Sequence, residues 1–297
     1  MSETVLDVKG MACPLPVLRA LEHPNFVHLL RESAPEATVE QLTRVHPANY
    51  VAAILEIRPP PGELVQLDGD TAMSAGSAEA ALRAAGGAVA GVDAVMAGWA
   101  RSAFAVVRPP GHHAEPSRPL GFCLFANAAV AALHARQRWG LKRIAVVDFD
   151  VHHGNGTQAI FAADPDLFYA SSHQHPCFPG TGLAEETGTA GNIVNAPLPP
   201  GTDSRGFRAA WSDQLLPALD AFAPELLIVS AGFDGHKLDP LAQLRLETSD
   251  FAWITGQLCM LARRHCGRRL VSVLEGGYDL DALAAAAAAH VRELMTL

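Results

Sequence analysis

Short apolar runs without polar interruption recur through the chain, at residues 104–107, 144–147, 167–170, 226–230 and 270–274. Runs of this length, rich in β-branched residues and lacking alternation, read as strands buried on both faces of a parallel sheet. Between them, residues 78–97, 127–139, 207–222 and 251–265 carry apolar side chains at helical spacing. Strand and helix in alternation predict βαβ units, hence an α/β fold whose mostly parallel central sheet is covered by helices on both faces. No linker-like change of composition follows residue 25, so one domain over residues 1–297 is expected. The longest stretch without either pattern, residues 174–203, is rich in Gly, Pro and Thr and is expected to be an irregular, functional loop.

Composition narrows the picture. With 297 residues, 49% hydrophobic and 18% charged, the chain can bury a large core and is not of the disordered class. A net charge of −9 with no long basic run argues against non-specific nucleic-acid binding. The five cysteines form no CxxC pair, and their odd number suits reduced thiols in a cytosol. The N-terminus lacks a signal-peptide pattern, and the alanine-rich run at 282–289 is too short to cross a bilayer. The expectation is a soluble cytoplasmic protein without membrane or nucleic-acid partners.

Each strand-like run ends in residues that handle metals or protons. The densest is Asp148-Phe149-Asp150-Val151-His152-His153. In extended chain Asp148, Asp150 and His152 fall on one side. Two carboxylates and an imidazole buried together need a compensating cation, because an isolated buried charge costs several kcal/mol. Arg108-Pro109-Pro110-Gly111-His112-His113 follows another run and presents tandem imidazoles from a stiff turn. Asp234 follows 226–230, Ser171 and Ser172 close 167–170, and Tyr278 follows Leu274-Glu275-Gly276-Gly277. Together these suggest a metal on Asp150, His152 and Asp234 with an open position for water. One tandem histidine would take the water's proton, and Tyr278 would polarise a carbonyl. That is a hydrolase for an amide or similar acyl bond. The ligand set suits Zn²⁺ first, with Fe²⁺ or Mn²⁺ as alternatives.

These residues resemble the motifs of the histone deacetylase superfamily. The resemblance rests on 108–113, Gly-Phe-Cys at 121–123, Asp-Phe-Asp-Val-His-His-Gly-Asn-Gly at 148–156, Phe-Pro-Gly-Thr-Gly at 178–182, Ala-Gly-Phe-Asp at 231–234 and Leu-Glu-Gly-Gly-Tyr at 274–278. It is nearest the bacterial class II-like branch of deacetylase-like and acetylpolyamine amidohydrolases, and covers roughly residues 20–297. It implies the arginase/deacetylase fold and a zinc-dependent removal of acetyl or related acyl groups from lysine-like ε-amines. Zinc would sit on Asp150, His152 and Asp234, with His113 as general base then acid and His112 as its electrostatic partner. Asp148 would orient His112, Asn155 would orient His113, and Tyr278 would donate to the oxyanion. Phe122 and Phe178 would wall the acyl-lysine channel, and the Gly121 carbonyl would receive the substrate N–H. A structural K⁺ would use Asp148, Asp150, His152, Ser171 and Ser172.

Leu241 stands where the polyamine-selective branch carries a glutamate gatekeeper, which favours an acetyl-lysine-type substrate over an acetylated polyamine. A binding module that holds metal and acyl-lysine without turnover is the reading from another class, and both histidines and Tyr278 speak against it. The resemblance leaves room for a homo-oligomer. The N-terminus departs from the family: residues 5–18, with Cys13-Pro14-Leu15-Pro16, resemble the start of a TusA-type sulfur carrier. That match is too short for a domain of its own. The expectation is that 5–8 supplies the first strand and 14–16 opens a helix.

Overall fold

In a computed structural model, the protein is described over residues 15–297 and, for the backbone, residues 3–7. The chain opens with β1 (Glu3–Asp7), α1 (Leu15–Leu21), β2 (Leu29–Ser33), α2 (Val39–Leu42) and α3 (Ala48–Glu56). A small antiparallel hairpin, β3 (Val65–Gln66) with β4 (Ala72–Met73), precedes α4 (Ser77–Met96) and β5 (Ser102–Val106). Then come α5 (Asn127–Trp139), β6 (Ile144–Asp148), α6 (Asn155–Phe161), β7 (Leu167–Gln174) and β8 (Ile193–Leu198). The last part holds α7 (Ser204–Ala210), α8 (Leu216–Phe222), β9 (Leu226–Ala231), α9 (Thr248–His265), β10 (Leu270–Leu274) and α10 (Leu280–Leu294).

Among the described residues, eight strands form one sheet in the order β2-β1-β5-β10-β9-β6-β7-β8. Every pairing in it is parallel. Alternate side chains of one strand feed opposite faces. Ile144 and Val146 pack with Val92, Ala128 and Ala132 of α4 and α5, whereas Ala145 and Val147 join Leu258, Ala287 and Leu283 of α9 and α10. Full burial of a Val, Leu or Ile side chain stabilises by about 1.5–3 kcal/mol, so both helical layers are held by the same strands.

Two expectations are corrected. Residues 174–203 are not wholly irregular, because β8 runs through them and pairs with β7. Asn195 and Pro197 hide its pattern, and Pro197 is tolerated because β8 lies at the sheet's edge. The helix expected over 207–222 is divided by a π-helical turn, Trp211–Leu215, ahead of Pro217, which has no N–H to continue the ladder. The strand expected at 5–8 is present as β1, and Pro16 lies in the first turn of α1. Cys13 and Pro14 of the sulfur-carrier-like turn lie outside the described residues.

Candidate active site

The four central strands of the sheet, β5-β10-β9-β6, are those that precede the tandem histidines, Tyr278, Asp234 and the Asp148–His153 run. Segments far apart in the chain therefore converge at one carboxyl edge, the position where open α/β sheets gather ligands.

At the base, ligand atoms of Asp150, His152 and Asp234 all lie within 4.8 Å of one another. His152 Nδ1 is 3.2 Å from Asp150 Oδ1 and 3.2 Å from Asp234 Oδ2. Both carboxylates are fully buried. Burial and the charge of Asp150 push the pKa of Asp234 up to about 7. Burial works against a charged His152, yet its hydrogen bonds to Asp150 and Asp234 raise its pKa well above the usual range. Protons are thus drawn to a place that a divalent cation would neutralise, and two oxygen donors with one nitrogen match zinc. Close packing protects the cluster: a Cβ on Gly276 would stand 2.2 Å from Asp234 Oδ2 and 2.6 Å from Asp150 Oδ2.

The run 148–152 is not extended as its spacing suggested. Asp148 Oδ1 accepts the Asp150 N–H at 3.0 Å, and Asp150 Oδ1 accepts the His152 N–H at 2.9 Å. These local turns swing Asp148 away from the other two, and its Oδ2 instead accepts from His112 Nδ1 (3.0 Å) and from the Tyr169 hydroxyl (3.1 Å). Asp234, from the neighbouring strand, takes the third place.

The tandem histidines differ sharply. Burial alone would keep His112 neutral, but the charges of Asp150 and Asp148 and the bond to Asp148 outweigh it and lift its pKa to about 10. Burial, then the charge on His112, push His113 well below its ordinary value. Asn155 Nδ2 donates to Glu115 Oε1 at 2.8 Å, which turns Asn155 Oδ1 toward His113 Nδ1 at 2.9 Å. His113 Nδ1–H therefore donates to Asn155, and Nε2 is left as a free lone pair. Two adjacent imidazoles with pKa values driven apart form an acid/base pair.

Above them a cavity of about 210 Å³ is lined by Asp70, Pro110, His112, His113, Gly121, Phe122, His152, Phe178, Leu241, Gly276 and Tyr278. All four expected channel residues are brought together there. Phe122, Phe178 and Leu241 are 43%, 38% and 47% exposed, which puts them at the mouth rather than in the core. Gly121 has φ +55°, and a Cβ there would meet His113 Cδ2 at 2.3 Å, so only glycine fits between His113 and Phe178. Burial raises the pKa of the Tyr278 phenol well above its usual range, which keeps its proton available for donation. The expected potassium residues divide: Asp148 stands opposite Ser171 in the β6/β7 register, while the Ser172 hydroxyl accepts from Trp211 Nε1 at 2.9 Å.

Other contributors went unassigned by sequence reasoning. Glu275 is fully buried beneath the histidine turn, where Oε2 accepts the N–H of Gly111 (2.7 Å) and of His112 (3.2 Å). Glu115 orients Asn155, Thr71 Oγ1 accepts the Phe122 N–H at 3.1 Å, and Asp70 stands at the mouth. Glu275 had a signal, a carboxylate directly after a buried strand. Asp70 and Thr71 lie in a short hairpin without periodicity.

A parallel-sheet α/β protein with a buried Asp-His-Asp cluster, paired histidines and a narrow aromatic channel defines a class, and comparison with known proteins identifies it. Residues 15–294 match the histone deacetylase domain. The chain is 42% identical over 281 residues to the histone deacetylase-like amidohydrolase of Pseudomonas aeruginosa, covering 93% of this chain and 70% of that protein. It is 40% identical over 271 residues to histone deacetylase 14, chloroplastic, of Arabidopsis thaliana, covering 87% of this chain and 64% of that one. The crystal structure of the HDA15 HD domain superposes with a TM-score of 0.88 at 33% identity, covering 99% of this chain and 88% of that one. The chain belongs to the histone deacetylase family. It spans 64% and 70% of the length of the two curated relatives named here. No helix among the described residues is long and apolar enough to cross a membrane.

Proposed function

We propose that the protein is a zinc-dependent amidohydrolase that removes acetyl groups from lysine-like ε-amines. The observation that carries this reading is the adjacent pair His112, bonded to Asp148, and His113, bonded to Asn155, set over the Asp150–His152–Asp234 cluster. Zinc, when bound by those three side chains, supplies a Lewis acid and lowers the pKa of a bound water. Fe²⁺ would suit the same donors.

The remaining chemistry belongs to the chain. His113 Nε2 accepts the proton of the attacking water, while the fixed charge on His112 steadies the negative charge that develops on the substrate oxygen. Tyr278 donates its phenolic proton to that oxygen as a hydrogen bond. His113 then returns its proton to the departing amine. Phe122 and Phe178 hold the aliphatic stem of the substrate, and the Gly121 carbonyl receives its N–H. A potassium ion would draw on Asp148 and Ser171, with Asp150, His152 and Ser172 beside them, an oxygen-rich set suited to a hard cation. The free thiols Cys123, Cys177, Cys259 and Cys266 suit a cytoplasmic setting, and one eight-stranded sheet among the described residues suits one catalytic domain over residues 1–297.

The test is turnover of a fluorogenic acetyl-lysine peptide and of acetylated spermidine by zinc-loaded protein, with and without a hydroxamate. Hydroxamate-sensitive release of acetate from the peptide is expected, and chelation should abolish it. Preference for acetylspermidine would move the substrate class to polyamines. Zinc and hydroxamate binding without turnover of either would leave a binding module.

A further inference from the structure

The Tyr278 turn has an anchor outside the reacting groups. Tyr278 follows two glycines, and Gly277 has φ +135°. Gly276 is held by its N–H on Asp150 Oδ2 at 2.8 Å, but Gly277 leaves the joint into Tyr278 conformationally permissive, so the preceding strand does not by itself fix the phenol. Asp239, buried at 7% exposure, lies across from this turn. Its Oδ2 accepts the N–H of Tyr278 at 2.7 Å and of Asp279 at 3.2 Å, and its Oδ1 accepts the N–H of Leu241 at 3.1 Å. One carboxylate thus ties the catalytic turn to the loop that carries Leu241 at the channel mouth. Asp279 in turn caps α10 through the Ala282 N–H at 2.8 Å, so the turn is held on its far side too.

We propose that Asp239 is a positioning residue that sets the place of Tyr278 and couples it to the Leu241 edge of the channel. The proposal rests on the deacetylase reading for its kinetic consequence but not for its structural one. A shift of about 1 Å in a catalytic group can cost about 10²-fold in rate, so loss of this anchor is felt at a distance. The two oxygens have separate duties, which makes the two obvious substitutions behave differently. In Asp239→Asn the single carbonyl oxygen satisfies the two-donor side, Tyr278 and Asp279, and the amide NH₂ then faces the Leu241 N–H as donor against donor. That variant loses the mouth tether and keeps the tyrosine anchor. Asp239→Ala loses both.

The experiment measures kcat and KM on an acetyl-lysine peptide for wild type, Asp239→Asn, Asp239→Ala, Tyr278→Phe and the Asp239→Ala/Tyr278→Phe double variant, with zinc content determined for each. Asp239→Asn should chiefly raise KM, and Asp239→Ala should lower kcat by about 10–10²-fold. In the Tyr278→Phe background Asp239→Ala should add no more than a factor of about two, because its target is already gone. Effects that multiply fully in the double variant, or an unchanged kcat in Asp239→Ala, overturn the proposal. Amide hydrogen exchange supplies a readout independent of turnover. Segments 238–243 and 276–280 should lose protection together in Asp239→Ala while 109–113 keeps its own, and unchanged protection also overturns the proposal. A wild type that fails to turn over acetyl-lysine sinks the deacetylase reading alone, and the exchange result then decides the role of Asp239.

Discussion

The floor and the mouth of the channel are built on opposite principles. At the floor the carboxylates are buried and tied down. Asp150 Oδ2 accepts the Gly276 N–H at 2.8 Å, Asp234 Oδ1 accepts the Val151 N–H at 2.8 Å, and Glu275 holds the histidine turn from beneath. At the mouth Phe122, Phe178 and Leu241 stand on loops, half in solvent, with few polar ties. Buried charges tolerate little motion, since a carboxylate that loses its donors keeps the full cost of desolvation. Exposed apolar side chains can be exchanged at small cost to stability. Changes at the floor should therefore remove activity by orders of magnitude, whereas changes at the mouth should redirect it.

The sharpest test of the floor is His113→Ala. Loss of a positioned general base typically costs about 10²–10⁴-fold in turnover, and zinc content measured on the same sample should stay at the wild-type level. A zinc-replete variant with wild-type rates would remove His113 from the reaction. Tyr278→Phe comes next, with kcat lower by about 10²–10³-fold, the range for a single oxyanion donor. An unchanged kcat would mean that the phenol points away from the reacting carbonyl.

Asn155→Asp asks a finer question of the floor. Asn155 Oδ1 is 2.9 Å from His113 Nδ1 and is neutral. Made together with Glu115→Gln, so that it does not share a proton with the Glu115 carboxylate 2.8 Å from the Asn155 amide, a carboxylate there favours protonated His113 and raises its pKa, by roughly one unit or more for a charge at this range. The base is then lost at higher pH than before, so the acid limb of the kcat/KM profile should move upward by about the same amount. A profile that stays in place, or moves toward acid, would show that His113 is not the group titrating on that limb.

Legibility follows the same division. The floor could be read because charged and imidazole residues directly after apolar strands have no cheap structural explanation, and β5, β6, β9 and β10 were recognisable as strands from their runs alone. Their adjacency was not recognisable, since nothing local in the chain says that β10 lies between β5 and β9. The clamps escaped for a related reason. Glu275 and Gly111 are 164 residues apart, and a carboxylate that accepts a backbone N–H constrains no side-chain identity at the other end. β2 escaped because four of its five residues, Leu30 to Ser33, are exposed, so it carries no buried-strand signature. The course of 148–152 escaped because an ideal strand was assumed where Asx-type turns compete with extension.

At the mouth, Leu241→Glu should change selectivity and leave the chemical step nearly alone. The side chain lines the channel and is 47% exposed, so a glutamate there would meet the distal part of a bound substrate while remaining hydrated. A second ammonium on an acetylated polyamine would gain a screened, partly exposed charge pair of about 1 kcal/mol, or roughly fivefold. The ratio of kcat/KM for acetylspermidine over a neutral acetyl-lysine peptide should rise by that factor. Because the gain is electrostatic and near solvent, it should shrink as ionic strength is raised from 0.05 to about 0.5 M, where the Debye length drops to a few ångströms. An unmoved ratio at low salt would show that the distal end of the substrate leaves the channel on another side, past Asp70 or Phe178. The contrast between a catalytic floor and a selective mouth would then have to be redrawn around those residues.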